Sequence, residues 1–324
     1  MSTPSGPDAA ASATSSPPAP PPAPRPGGHV IQAVPVRHWG RWIGAVVVLL
    51  LVAWLIVAAA SAPAIQWGEI PQYLFNPNIL EGLGNTLLIS ILAQVMGIAL
   101  GIVFAVMRLS GNPVMAAVSG AYVWFFRGTP VLVQLLVWFN LGLVFQTVTF
   151  AVPGTDLTLF SMPMNEFMTP FMAALLGLGL NEGAYMAEIV RGGIVSVDEG
   201  QAEAAAALGM TRGLAMRRVV LPQAMRVIVP PTGNEFISML KLSSLATVVT
   251  YPELLRKAQD LYTQNLLILE LLFTISIWYL LVTTIASIGQ YFLERRFARG
   301  TTKNARDSLL PAWLDLRGRG GVAP

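Results

Sequence analysis

Apolar residues fall into six long blocks: Ile43 to Ala60, Thr86 to Met107, Tyr122 to Phe145, Thr169 to Val190, Val227 to Thr250 and Leu266 to Leu293. At ~1.5 Å of helix rise per residue, each is long enough to cross or nearly cross a hydrocarbon layer of ~30 Å. The first, IGAVVVLLLVAWLIVAAA, follows Arg37, His38 and Arg41 and ends at Ala60-Ser61-Ala62, so a cleaved signal peptide is its rival reading. It is longer than the usual apolar region of a signal (~7–15 residues) and begins far from the N-terminus, which favours a retained anchor. The pattern predicts an all-α, polytopic helical membrane protein of about six spans.

Composition agrees with that pattern. Hydrophobic residues make up 54% of the 324 and charged residues 11%, less than half the roughly 25% of a soluble domain. The net charge is +3, and its placement matters more than its size, because basic residues beside spans mark the cytoplasmic side. With the N-terminus inside, the outer connections contain 61 to 85, 146 to 168 and 251 to 265, and they carry only Arg256 and Lys257 as basic residues. Seventeen others, among them Arg108, Arg127, Arg191, Arg212, Arg217, Arg218, Arg226, Arg295, Arg296 and Arg299, fall on cytoplasmic segments and span ends, with Lys241 inside a span. This bias puts both termini in the cytoplasm and leaves no reason to expect nucleic acid as a partner. The absence of cysteine excludes disulfides and thiolate chemistry, and two histidines leave little for a metal site.

Residues 1–36 read as a disordered Pro/Ala-rich leader, with nine of the 24 prolines before residue 31 and too little apolar area to offset ordering entropy. An N-terminal membrane helix and outer loop occupy 37–80, the other five spans 81–297, and a cytoplasmic tail 298–324. No GxxxxGK[ST] phosphate loop is present, so ATP binding by the P-loop route is not expected of this chain. A transporter of this build runs on an ion gradient or borrows its ATPase.

The connection from Arg191 to Arg226 bears on that choice. Asp198 and Glu199 suit a helix start, Gln201 to Leu208 is a run of helix formers with five alanines, and Gly209 interrupts it. LAMRRVVLPQAM resumes a helical pattern until Pro222 forces a second break. The small-residue surface around Glu203 suits close approach of another protein, with Leu208, Met210, Leu214 and Met216 filling a groove on it. A surface helix lying on headgroups through Arg212, Arg217 and Arg218 is the other reading, and residue chemistry leaves both open.

Ionisable residues within spans are costly unless they face protein or water. Glu182, Glu188, Glu235, Lys241 and Glu270 are of this kind. Glu235 and Lys241, six residues apart, do not share a face of a straight helix. Pro230, Pro231 and Gly233 suggest a broken helix lining a cavity, which makes Asn234, Glu235, Lys241, Ser243 and Ser244 candidates for a route or gate. Bonds between helices are the alternative use of the same groups. Arg127 is read as snorkelling to the cytoplasmic headgroups, with Thr129 and Pro130 shaping the helix entrance, or else as touching the coupling loop or inner gate. Glu188 and Arg191 are spaced to pair along one helix face.

Glu203-Ala204-Ala205, Gly209 and Leu221-Pro222 resemble the EAA loop of bacterial ABC importer permeases. NEGAYMAEIVRGGIVSVDEGQAEAAAALGM, RGTP at 127–130, LPQAMRVIVPPTGNEFI and KLSSL at 241–245 are similar to the branch that imports polar amino acids. The resemblance covers about residues 80 to 297. It implies a type I importer transmembrane domain: two permease subunits, identical or paralogous, above two ATP-binding subunits, with an extracytoplasmic solute-binding protein delivering a polar amino acid. The loop 193–222 would then hold the coupling helix that seats in a groove of the ATPase. ATP and Mg would belong to that partner, and this chain would bind no cofactor and be no enzyme. Many members of the branch have five spans, so the 43–60 helix is an addition, and KLSSL lacks the Asp of the commoner KDTSL-like sequence. A gradient-driven transporter or channel would fit six spans but would not need this loop; a membrane scaffold or receptor would also expose a cytoplasmic loop, but would leave the broken polar spans unexplained.

Overall fold

The computed structural model describes residues 39–151, 154 and 158–297. The leader, His38 and the tail from 298 lie outside the described residues. Two compact units divide at Ser61 and Ala62. The first contains α1, Trp39–Ala60, an uninterrupted apolar helix.

The second unit is a helical bundle. Three of its helices begin alike: α3 (Pro77–Leu109), α4 (Pro113–Gly128) and α7 (Pro170–Val195) each have proline in the first turn, preceded by Asn76, Asn112 and Thr169, whose side chains accept from the first-turn N–H groups. Proline has no N–H to orphan there, and Asn or Thr satisfies a donor that would otherwise be bare. A short α2, Ile70–Leu74, precedes α3 and is tied to the bundle by Trp278 Nε1, which donates to Leu74 O at 2.8 Å.

α3 and α7 form the most extensive helix pair. Glycines face across their seam: a Cβ on Gly97 would lie 2.8 Å from Glu182 Cβ, on Gly101 2.8 Å from the Met186 carbonyl carbon, and on Gly183 2.9 Å from Leu100 Cβ. With no side chains in the way, the backbones approach closely enough for dispersion to act along the seam, as in lipid-embedded helix pairs. α7 is the central helix, with half of its 26 residues buried. Its interior position explains how it accommodates Asn181 and Glu182 in an apolar run.

The block Tyr122 to Phe145 is not one straight helix. α4 ends at Gly128 and α5, Val131–Phe139, leaves at 101° to it. Thr129, ahead of Pro130, is extended at φ −116°, ψ 144°, the conformation that a following proline imposes. Pro130 also deprives Phe126 O of its i+4 donor. Asn181 Nδ2 and Gln134 Nε2 replace it at 2.8 and 3.0 Å, so the break is stitched from both sides.

The connection after α5 departs from a purely helical expectation. β1, Thr147–Ala151, pairs antiparallel with β2, Thr158–Pro163, and their register slips between Phe150 and Ala151. β-branched and aromatic residues in TVTFA and TLFSMP favour the extended form. A single turn, α6 (Met164–Phe167), leads into α7.

After α7 come α8 (Glu199–Ala207), α9 (Arg212–Ala215), a π turn over Met216–Val220 and α10 (Leu221–Leu242). Two expectations are corrected here. Pro222 does not interrupt the second short helix; it lies in the first turn of α10, where its missing N–H costs little. Nor is α10 broken at Pro230 and Pro231, which lie inside a continuous helix. Gln290 Nε2, from α12 (Ile268–Phe297), donates to Pro230 O at 2.8 Å, the kind of neighbour bond that keeps membrane helices intact at prolines. α10 passes instead into a 3₁₀ segment, Ser243–Val249, that ends at Thr250 with φ +59°.

α11, Leu254–Asn265, then docks on α3 and α12. Its cap Glu253 is fully buried and accepts from Leu255 N, Arg256 N and Tyr279 Oη at 2.8, 2.7 and 3.0 Å. Leu254 N donates to Thr86 Oγ1, and Asn85 Nδ2 to Pro252 O. α1, α3 and α12 are each long and apolar enough to cross a membrane, and the α4–α5 pair is so if taken as one bent span. α7 and α10 complete the bundle, α7 with Asn181 and Glu182 buried and α10 with Asn234, Ser238 and Lys241 exposed.

Candidate functional site

Two places carry chemistry that packing alone does not require. The first is the connection between α7 and α10. Asp198 caps α8, its side chain accepting from Gly200 N at 2.8 Å. The helix closes in a Schellman arrangement: Met210 N donates to Ala205 O at 3.0 Å and Gly209 N to Ala206 O at 2.9 Å. Gly209 has φ +78°, the left-handed conformation this motif demands at that position. Glu203 and Ala204 are exposed, whereas Ala205 is buried. Leu208 is 83% exposed, an apolar side chain presented to whatever meets the bend. Between α8 and the turn after it lies a hollow of about 440 Å³ lined by Glu203, Met210, Arg212 and Met216. Leu221 and Pro222 open α10 behind it.

The second place is a polar cavity of about 490 Å³ at the α4–α5 break. Arg127 to Val131 form one wall, Asn181, Glu182 and Tyr185 of α7 another, and Glu235, Ser238 and Met239 of α10 a third. Arg127 is exposed and lies against a ring of α7. Its guanidinium carbon lies 5.0 Å from the centroid of the Tyr185 ring, close enough for cation–π attraction to hold it at the cavity. Glu182 is buried and accepts from Gln94 Nε2 at 3.1 Å. Among the described residues neither Glu182 nor Glu235 has a salt bridge. Pro130 caps α5 without a side-chain hydrogen bond, so the N–H groups of Val131 and Leu132 lack an intrahelical partner beside the cavity. One guanidinium, an open helix start and two carboxylates therefore surround a space of amino acid size. Among the described residues no group of three or more His, Asp or Glu could hold a metal ion.

Of the residues singled out within the fifth block, Glu235 lines this cavity. Asn234 and Lys241 are exposed and do not line it; Ser238, which does, lies between them in the sequence, four residues from the first and three from the second, so the three form a stripe along the cavity's edge. Ser243 is buried and donates to Leu240 O at 2.8 Å, and Ser244 donates to Lys241 O at 2.7 Å, so both hydroxyls are turned to their own backbone. Glu235 and Lys241 form no ion pair with each other among the described residues. Glu188 and Arg191 do pair, at 2.7 Å. Sequence reasoning does not assign Arg127, Asn181 and Tyr185 to a cavity. Their signal is there in two polar patches interrupting apolar runs, RGTP and NEGAY.

Residues 97–299 match the family described as binding-protein-dependent transport system inner membrane component. The chain is 44% identical to the arginine transport system permease protein of Corynebacterium glutamicum, over 89% of this chain and 90% of that one. It is 36% identical to the L-cystine transport system permease protein of Bacillus subtilis, over 76% and 97%. Its identity to the glutamine transport system permease protein of Escherichia coli is 34%, over 68% and 93%. Among solved structures, one described as an amino acid ABC transporter with histidines superposes with a TM-score of 0.61 at 34% identity, covering 72% of this chain and 99% of that one.

Proposed function

This chain belongs to the family of binding-protein-dependent transport system inner membrane components, a permease subunit of an amino acid ABC importer, and we propose that its cargo is an amino acid with a cationic side chain. The observation that carries this is the charge set around the α4–α5 break. An amino acid offers one carboxylate and one ammonium. Arg127 and the open N–H groups of Val131 and Leu132 suit the carboxylate. Glu182 and Glu235 suit the ammonium and one further positive group, which a neutral amino acid lacks. The name of the arginine permease of Corynebacterium glutamicum agrees with this reading.

The rest of the machine follows from the family. The permease pairs with a second subunit, identical or paralogous; two ATP-binding subunits hold ATP and Mg, and an extracytoplasmic binding protein delivers cargo. Both termini and the 193–222 loop lie on the cytoplasmic side, as the basic residues favour. Exposed Glu203 and Leu208 with the Gly209 bend supply a docking helix for the ATPase. The stripe Asn234, Ser238 and Lys241 faces the second subunit or the water-filled path between the two, since lipid would leave these groups unsatisfied.

The test of cargo is a binding and uptake panel of cationic, neutral and acidic amino acids, with Glu235→Gln. That variant should lose uptake of a cationic amino acid about 30-fold, as removal of ~2 kcal/mol of charge-assisted bonding requires, while ATPase attachment stays intact. Unchanged cationic uptake in Glu235→Gln would remove the carboxylate from the site. The test of coupling is Gly209→Asp and Glu203→Lys: both should insert normally yet lose ATPase association or stimulated hydrolysis. Uptake that persists with the ATPase disabled would instead favour a gradient-driven transporter.

A further inference from the structure

The polar cavity is not the largest one in the bundle. A groove of about 1190 Å³ runs between α3, α7, α10 and α12. Its walls are Ile102, Val106, Met186, Ile228, Phe236 and similar side chains. Most of the polar side-chain atoms that reach it already have partners; Gln94 Oε1 is buried without one. Ser110 Oγ donates to Met107 O at 2.7 Å, Thr232 Oγ1 to Ile228 O at 2.8 Å, and Gln290 Nε2 to Pro230 O and Glu294 Oε1 at 2.8 and 2.7 Å. Gln94 Nε2 is bound to Glu182. A hydrophilic cargo would find almost nothing to bond, so the occupant is apolar over most of its length.

One end of the groove identifies the rest of that occupant. Leu109, Met216, Leu221, Leu293 and Phe297 line it where α3 and α12 end and α10 begins. Beside them in the chain stand Arg217, Arg218, Arg226, Arg295 and Arg296, all exposed. None forms a salt bridge with an acidic side chain among the described residues. Five exposed arginines without an ion pair among the described residues, each within three positions of a residue lining this end of an apolar groove, call for an elongated apolar ligand with an anionic head. Basic sites between membrane helices on the cytoplasmic side take phospholipid headgroups in this way.

We propose that this groove binds an anionic phospholipid of the cytoplasmic leaflet, with an acyl chain between α3 and α12 and the phosphate among the arginines flanking the coupling loop. The leaflet assignment rests on the orientation proposed above. The site is separate from the cargo cavity, and Met216 belongs both to its lining and to the hollow beside α8. Lipid occupancy therefore bears on the element that meets the ATPase.

Gly289 provides the probe. It lines the groove, and a Cβ there meets nothing within 4 Å, so Gly289→Phe puts a ring into the space without a backbone clash. The purified full transporter is reconstituted in discs of phosphatidylcholine alone or with phosphatidylglycerol, then analysed by native mass spectrometry and ATPase assay. Wild-type protein should retain phosphatidylglycerol and hydrolyse ATP faster in its presence. Gly289→Phe should lose both effects. Arg295→Gln with Arg296→Gln should weaken phosphatidylglycerol retention about tenfold or more relative to phosphatidylcholine. The chain has no cysteine, so Gly289→Cys, labelled with a bulky maleimide after reconstitution, repeats the block in protein already folded. Equal retention of both lipids by wild type, or undiminished retention after the block, overturns the proposal. So does a disulfide joining two copies of the Gly289→Cys variant, which would make the groove a subunit interface. Lipid retention is read by mass whether or not an amino acid is imported, so this result stands apart from the cargo assignment.

Discussion

The α3–α7 seam and the α10–α12 contact are both made by long helices, yet they are built oppositely. Along the seam, glycine after glycine lets backbone meet backbone, and an added Cβ at Gly97, Gly101 or Gly183 has no room. Between α10 and α12 the approach tightens at one point, where Gln290 lies over Gly233 and donates to Pro230 O; nearby, the two helices share the walls of the apolar groove with α3 and α7, and Gly289 faces open space. The seam is a frame in which displacement costs many contacts at once. α10, which carries Glu235, meets α12 at a polar knuckle and α7 where Ile228 and Ala224 close on Gly193. The polar cavity at the α4–α5 break takes walls from both α7 and α10.

The sharpest way to break this contrast is Gly101→Leu. Its Cβ alone would come within 2.8 Å of the Met186 backbone, and neither helix can yield without parting the seam. A loss of about 3 kcal/mol or more is expected, read as lower folded yield and unfolding at milder denaturant. If Gly101→Leu unfolds like wild type, the seam is not rigid.

A titration probes the element that bridges the two regions, because α11 docks on both α3 and α12. Burial is the main cause that pushes the Glu253 carboxyl up to about 7, against the lowering effect of its bonds from Leu255 N, Arg256 N and Tyr279. A raised carboxyl favours the folded state while protonated, so its stabilisation is present below the unfolded value near 4.5 and is lost as pH rises through about 7. Stability should fall by on the order of 2 kcal/mol between pH 5 and pH 8 from this group. Glu253→Gln should flatten that slope, and an unchanged slope would assign it to other residues.

Gly209→Ala is a gentler change, placing a Cβ at φ +78°. It should cost about 1 kcal/mol locally and appear as faster hydrogen exchange in α8 rather than global unfolding. At the small end, Gly289→Leu should shift stability by no more than ~0.5 kcal/mol, because the site is open. A large penalty there would mean that α10 and α12 are as tightly framed as α3 and α7.

Much of this architecture is readable from the chain. The span positions follow from runs of apolar residues, and the Gly209 bend from a glycine between two helix-prone stretches. What stays hidden has physical causes. The α4–α5 break lies within a hydrophobic block, where hydropathy cannot distinguish a straight span from a turned one. The local rule for proline places a stop at 222 and a break at 230–231; a first-turn position and the amide of Gln290, sixty residues away, cancel both effects. The contact of Arg127 with the ring of Tyr185 joins two helices, and nothing in the sequence around either residue announces it. Coupling-loop residues are contiguous and so can be found together, whereas the cavity draws on three helices that only the fold unites.

The 33 residues of α3 extend about 50 Å along the helix axis at 1.5 Å per residue, against a hydrocarbon thickness near 30 Å. No ordinary tilt hides that excess, so the helix protrudes beyond the acyl region at one end or both. The apolar stretch of α3, Thr86 to Met107, accounts for about 33 Å of that length, and the turns before it carry Asn78, Glu81 and Asn85. The excess is therefore a post outside the acyl layer on which α11 is mounted, with Lys257 Nζ 2.8 Å from Glu81 Oε2.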